Sequence, residues 1–371
     1  MNNRNERYSG FEQGPIRPPS ESDSLLLRVT RNCPWNQCTF CGLYKGQTFS
    51  IRPVEDVLKD IDSVKSVISD LQNGTPHDRD AADQWSYHSA KAWFENGMKS
   101  VFLQDANTLV IKPDDLLAIL ASIRENFPEV ERITSYARSQ TVARISDKDL
   151  ARLKDGGLNR IHIGMESGSD IILKRIKKGV DKETHIKAGQ KVKKAGIELS
   201  EYIMPGLGGV EYSTENAVET ASALNQIDPD FIRIRTLALP DQTGLAADLR
   251  NGLFSRAGDI LIIQEMMLLL ENLEGITSTV VSDHIINLLP EVEGTLPDDK
   301  KYMLSILKNF LSLDYVEKMI YIIGRRIGVM RGLYDLNSDT RRRHALDFII
   351  QNQVEPATAE AYAAELMKRF I

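Results

Sequence analysis

Cys33-Pro34-Trp35-Asn36-Gln37-Cys38-Thr39-Phe40-Cys41 is the stretch on which the reading of this chain turns. It follows the apolar run Leu25-Leu26-Leu27-Arg28-Val29-Thr30, and its three cysteines are the only ones in 371 residues. A disulfide framework has an even count and a secretory context, so this odd count argues against one. Three thiols in one short loop point instead to soft-metal ligation. A closed tetrahedral zinc site needs a fourth ligand. No further Cys or His lies near the loop, so a distant His would have to complete it. A [4Fe–4S] cluster held by three cysteines needs no fourth protein ligand and leaves one iron open to a small molecule.

Composition sets the outer bounds. Hydrophobic residues make up 42% and charged residues 26%, the balance of an ordinary globular chain. A net charge of −6 gives no basic footprint for nucleic acid, although a local patch stays open. No apolar run reaches the roughly 18 residues of a membrane span. Residues 1–23 are polar, with Gly and Pro and no apolar h-region, and read as a flexible arm rather than a signal peptide. Free cluster-type thiols suit a reducing compartment, so the cytoplasm is the expected location.

Outward from the loop the pattern alternates. Strands are expected over Leu25–Thr30, Ser100–Gln104, Arg132–Tyr136, Asn159–Gly164, Glu198–Ile203 and Phe231–Thr236. Helices fall between them. One opens at Pro53, where the missing N–H is harmless, and another follows the capping pair Ser146 and Asp149. Six strands alternating with helices predict an α/β fold, a partial (βα)6 barrel over residues 24–250, with functional groups at the strand C-termini. From about Ser255 the strand signal stops. Residues 255–371 read as an all-helical C-terminal extension, including Thr277–Leu289, which carries Asp283 and His284.

A three-cysteine loop after the first strand, with an aromatic residue before the last cysteine, resembles the radical S-adenosylmethionine superfamily. The family spacing is C-x3-C-x2-C, whereas this chain has C-x4-C-x2-C. Gly164-Met165-Glu166-Ser167-Gly168-Ser169, Lys178-Gly179, Ala195-Gly196-Ile197 and Met204-Pro205-Gly206 continue the resemblance. They are most similar to the elongator-type and oxygen-independent coproporphyrinogen oxidase-like branch. The resemblance implies a [4Fe–4S] cluster on Cys33, Cys38 and Cys41, with S-adenosylmethionine as cosubstrate. It implies an enzyme of oxidoreductase type in which a 5′-deoxyadenosyl radical abstracts hydrogen from a substrate that the sequence does not identify. An external one-electron donor, of flavodoxin or ferredoxin type, is implied as a partner. A non-catalytic iron–sulfur or haem-handling carrier with the same fold is the alternative.

The resemblance also supplies cofactor-binding candidates. Glu166 and Ser167 follow the fourth strand, where a carboxylate can accept hydrogen bonds from ribose hydroxyls; an acid interacting with a helix N-terminus is the alternative for Glu166. Phe40 is expected near the adenine. Asp105 stands where the family often has Gly-Gly-Glu facing the methionine amino group, but the glycines are missing, and a simple turn explains it equally well. Arg235 and Arg138 are candidates for the methionine carboxylate, or surface ion pairs. With no cysteine left over, a second cluster, a cysteine methyl carrier and a cysteine hydrogen donor are all excluded. No acetyltransferase-like domain is evident.

Overall fold

The computed structural model describes residues 8–75 and 84–370. The chain divides into two compact units. One holds residues 1–36, 43–163 and 191–199, and the other holds 37–42, 164–190 and 200–371.

The first unit begins with β1 (Leu25–Arg28) and the short antiparallel pair β2 (Thr30–Arg31) and β3 (Ser50–Ile51). β4 (Ser100–Gln104) lies parallel to β1, and β5 (Arg132–Ala137) lies parallel to β4. β6 (Arg160–Glu166) pairs in parallel with β5 through Arg160–Ile163. Leu25, Leu27, Val101, Phe102, Leu103 and Ile133 are buried, as strands covered on both faces require. The helix Val54–Asn73 starts after Pro53 and stops at Gly74, which takes the left-handed φ of 65° that ends a helix. Ser146 caps Asp147–Asp155 as its sequence predicts, accepting from the Asp149 N–H at 3.0 Å.

Residues 8–23 depart from the flexible arm that their composition suggests; residues 1–7 lie outside the described part. Phe11 and Glu21 are buried. Glu12 pairs with Arg31 at 2.6 Å, and the buried Glu21 accepts from the Ser24 hydroxyl at 2.6 Å. Ion pairing, rather than apolar content, ties this segment down.

The second unit contains the end of β7 (Glu198–Ile203), then β8 (Phe231–Ile234), β9 (Thr279–Val281) and β10 (Gly294–Thr295). β7, β8 and β9 are parallel, and β10 returns antiparallel to β9. β9 corrects the sequence reading. Thr277–Leu289 is not a helix but a strand followed by a loop, because Thr279-Val280-Val281 is a β-branched run next to the open edge of β8. β10 is a second departure from the all-helical reading of 255–371; the longer elements there are helices as expected, Asp259–Asn272, Lys300–Ser312, Tyr315–Arg326, Asp339–Gln351 and Ala359–Met367. Asp259–Asn272 packs on the helix Ser213–Ile227. Its buried stripe is Ile262, Ile263, Met266, Leu269 and Leu270, with Ile260 and Met267 at the margins. Among the described residues no helix is long and apolar enough to cross a membrane.

Candidate active site

The cysteine loop is irregular from Asn32 to Gly42. Cys33, Cys38 and Cys41 are half-buried, and none of them forms a disulfide among the described residues. Asn32 and Asn36 take left-handed φ values of 66° and 47°, a conformation that asparagine tolerates better than most residues. The Asn36 side chain donates to the Tyr44 carbonyl at 2.5 Å, and the Asn36 N–H approaches Cys33 Sγ at 3.4 Å. Gln37–Gly42 is built into the second unit. Thr39 donates its N–H to Ile176 at 2.9 Å and accepts from the Leu245 N–H at 2.8 Å.

The donor set suits a cluster. Among the described residues no three His, Cys, Asp or Glu side chains converge as they would on a single metal ion. A four-iron cluster takes each thiolate on its own iron and asks for no such convergence. Three cysteines on one partly exposed loop, none tied up in a disulfide, are therefore the chemistry it needs.

At the end of β6, Glu166 has a φ of 67°. Its carbonyl accepts from the Met204 N–H at 2.8 Å, and its carboxylate pairs with Lys178 at 2.9 Å. The Lys178 ammonium lies 5.8 Å from the centre of the Phe40 ring, so cysteine loop, lysine and strand-end carboxylate meet in one place. Gly164 makes this possible. A Cβ there would sit 2.3 Å from the Glu166 carboxylate. Glu201 on β7 is fully buried, and among the described residues neither of its carboxylate oxygens has a hydrogen-bond partner. Burial pushes its carboxyl well above the ordinary range. Lys178 opposes that shift and Glu166 reinforces it. Burial therefore favours the protonated form of Glu201 beside the ion pair.

Ser167 has a local role. Its hydroxyl accepts from the Ser169 N–H at 3.0 Å, and the Gly168 N–H donates to Thr220 at 2.9 Å. Behind this turn, the loop Met204-Pro205-Gly206 is held from the C-terminal helix Asp259–Asn272. Glu265 accepts from the Gly206 N–H at 3.0 Å, the Asn216 amide at 2.8 Å and the Ser213 hydroxyl at 2.8 Å. Burial raises its carboxyl to about 7, against the pull of those three donors.

Asp105 lies in the first unit and is fully engaged. It pairs with Arg28 at 2.8 Å, accepts from the Asn32 N–H at 3.3 Å and receives a short hydrogen bond from the Tyr44 hydroxyl. Burial and the adjacent Asp105 hold Tyr44 in its neutral form. Arg138 stacks 5.1 Å from the Trp35 ring, on the cysteine loop. Arg235 is exposed just past the end of β8. Glu201 and Glu265 were not singled out from sequence, although each is a lone acid in an apolar stretch, Leu199-Ser200-Glu201-Tyr202-Ile203 and Ile262-Ile263-Gln264-Glu265-Met266.

Residues 27–221, more than half of the chain, match the family described as the radical SAM superfamily. The chain belongs to that superfamily. Radical SAM proteins use a [4Fe–4S] cluster and S-adenosylmethionine, and the matched span contains the cysteine loop, Glu166, Lys178 and Glu201. An uncharacterized methyltransferase of Pyrococcus horikoshii is 26% identical over 219 residues, covering 58% of this chain and 39% of that protein. The tRNA uridine(34) acetyltransferase of Methanocaldococcus infernus is 26% identical over 139 residues, covering 35% of this chain and 26% of that protein. The chain thus spans well under half the length of these two relatives. The structure of coproporphyrinogen III oxidase from Escherichia coli, a radical SAM enzyme, is similar with a TM-score of 0.46 and 16% identity, covering 67% of this chain and 52% of that one.

Proposed function

We propose that this chain is a radical S-adenosylmethionine enzyme with its cluster on Cys33, Cys38 and Cys41. The observation that carries the reading is three half-buried cysteines, none in a disulfide, on one loop inside the matched span. When bound, the cluster supplies one electron for homolysis of the S–C5′ bond of S-adenosylmethionine, giving methionine and a 5′-deoxyadenosyl radical that abstracts hydrogen from the substrate, a reaction of oxidoreductase type.

The chain's own residues bind and orient the cosubstrate. Glu166 accepts hydrogen bonds from the ribose hydroxyls, which compete with Lys178 for its carboxylate. Lys178, released in part, offers its charge to the methionine carboxylate. Phe40 covers the adenine. Ser167 acts through the turn that aims Glu166. Asp105 orders the cysteine loop through Asn32 and Tyr44 instead of meeting the ligand. The electron comes from an external flavodoxin- or ferredoxin-type donor, in the cytoplasm. We keep the proposed division into a radical SAM portion over 24–250 and a C-terminal portion over 255–371 as a functional one.

Anaerobic reconstitution followed by reduction with dithionite tests this reading. 5′-Deoxyadenosine should appear even without substrate. An intact cluster with no cleavage product would overturn it.

A further inference from the structure

Past the ends of β8 and β9, one cationic group is left without a counter-charge. Arg233↔Val281 is the last pair in register between the two parallel strands, and Arg235 and Asp283 each follow two residues later in the chain. Asp283 is already committed. It pairs with Arg233 at 2.6 Å, and Arg233 also donates to the Ser200 hydroxyl at 3.1 Å. Arg326 pairs with Asp259 and donates to the Ile286 carbonyl. Arg325 is directed onto the carbonyls of Asn287 and Leu288. Of the arginines on these strand ends and the helix behind them, Arg235 has an exposed guanidinium with no hydrogen bond or ion pair among the described residues.

His284 stands next to it on a rigid loop. Asn287 fixes that loop by accepting from the Thr236 N–H at 3.0 Å and donating to the Ile234 carbonyl at 2.8 Å. Arg325 and Arg326 hold its backbone from the helix Tyr315–Arg326. His284 Nδ1 faces the Ile286 N–H at 3.4 Å, which makes Nδ1 the acceptor and leaves Nε2–H as a donor. Burial and the Arg235 charge push the imidazole down to about 4. A rigid donor beside an unmatched cation, past the C-terminal ends of two parallel strands, is the arrangement an oxyanion fits.

We infer that Arg235 and His284 form a subsite for an anionic group of the substrate, a carboxylate or a phosphate, separate from the residues that hold the cosubstrate. This deepens the proposed function, since it rests on the reading that these strand ends face a substrate. An anion bound there compensates Arg235 and favours the imidazolium. Of the charged groups around the loop, Arg233, Asp283, Arg325 and Arg326 are already engaged, so the response should run through Arg235.

The test follows the His284 ring by NMR in the full-length protein purified anaerobically, with the resonance assigned from His284→Gln. Inorganic phosphate should raise the His284 titration midpoint by about one pH unit relative to chloride at equal ionic strength. In Arg235→Ala the midpoint should be higher from the start and insensitive to phosphate. No response to phosphate, or an equal response in Arg235→Ala, overturns the proposal. A midpoint that moves with S-adenosylmethionine but not with phosphate also overturns it, by giving Arg235 to the cosubstrate. None of these measurements needs cleavage activity, so failure of the subsite and failure of the enzymatic reading are told apart.

Discussion

Lys178 Nζ lies 2.9 Å from the Glu166 carboxylate, with the two side chains only 12% and 13% exposed. A cation and an anion in that position stabilise each other, yet either can be recruited by a ligand that offers a better partner. Lys178→Met should therefore weaken S-adenosylmethionine binding about tenfold or more, the equivalent of one lost charged hydrogen bond of about 1.5–3 kcal/mol. Equilibrium dialysis on cluster-loaded protein measures it. Unchanged affinity would assign the pair to the fold.

The cysteines make a sharper prediction. Reconstituted protein should hold about four irons and four sulfides per chain, and Cys33→Ala, Cys38→Ala or Cys41→Ala should each abolish stable incorporation. Iron and sulfide analysis with Mössbauer spectroscopy reads the outcome. Stoichiometric zinc in anaerobically purified protein, with no iron after reconstitution, rules the cluster out.

Two glycines of one motif should behave differently. Gly164→Ala puts a methyl group against the Glu166 carboxylate, a flexible side-chain end. Gly168→Ala puts one 2.3 Å from the Glu219 carbonyl, which is helix backbone. We expect Gly164→Ala to lose cosubstrate affinity with little loss of stability. Gly168→Ala should lose roughly 1–3 kcal/mol or more of stability. Thermal unfolding alongside binding separates them.

Asp105→Asn should destabilise the first unit by about 1–3 kcal/mol, because it takes the nearer anion from the largely buried Arg28 and leaves it only Glu12 at 3.7 Å. Tyr44→Phe removes one hydrogen bond and should cost about 1–3 kcal/mol. Chemical denaturation decides. A wild-type-like Asp105→Asn protein with impaired cosubstrate binding would return Asp105 to the ligand.

Glu265 predicts a pH dependence. Its carboxyl is at about 7 in the folded chain against 4.5 ordinarily, so the folded state holds the proton more tightly. The stability this adds is complete below about pH 4.5 and is lost as pH rises through 7, on the order of 3 kcal/mol. Glu201 acts in the same direction. The difference between wild type and Glu265→Gln isolates the Glu265 share. Equal pH slopes in the two proteins would refute it.

Much of this was legible in the sequence for identifiable reasons. β4 and β7 fall on the residues that their patterns predict, since both are short, apolar and bounded by turn residues. Ser146 announces its helix because capping chemistry is local. β9 was hidden because three β-branched residues in a helix-rich region have no period to display, and only the free edge of β8 makes them a strand. The site divides in the same way. The cysteines and Glu166 are visible as spacing and motif. From sequence Asp105 fits a ligand and a simple turn equally well, because nothing in its neighbours reveals Arg28 and Tyr44, which approach from 77 and 61 residues away. Lys178, Glu201 and Glu265 acquire meaning only from what folding sets beside them.

The clasp of Glu265 on Gly206 bears on how such chains diversify. The carboxylate and the loop it holds are 59 residues apart, and residues 200–371 form one compact unit, so the C-terminal helices are not a detachable cassette. A hybrid that replaced residues 255–371 with the corresponding part of another protein would leave the amides of Gly206 and Asn216 and the hydroxyl of Ser213 facing a stranger. Recombination across that boundary should succeed only when the incoming helix brings its own acid, which ties the inheritance of the tail to that of the glycine loop.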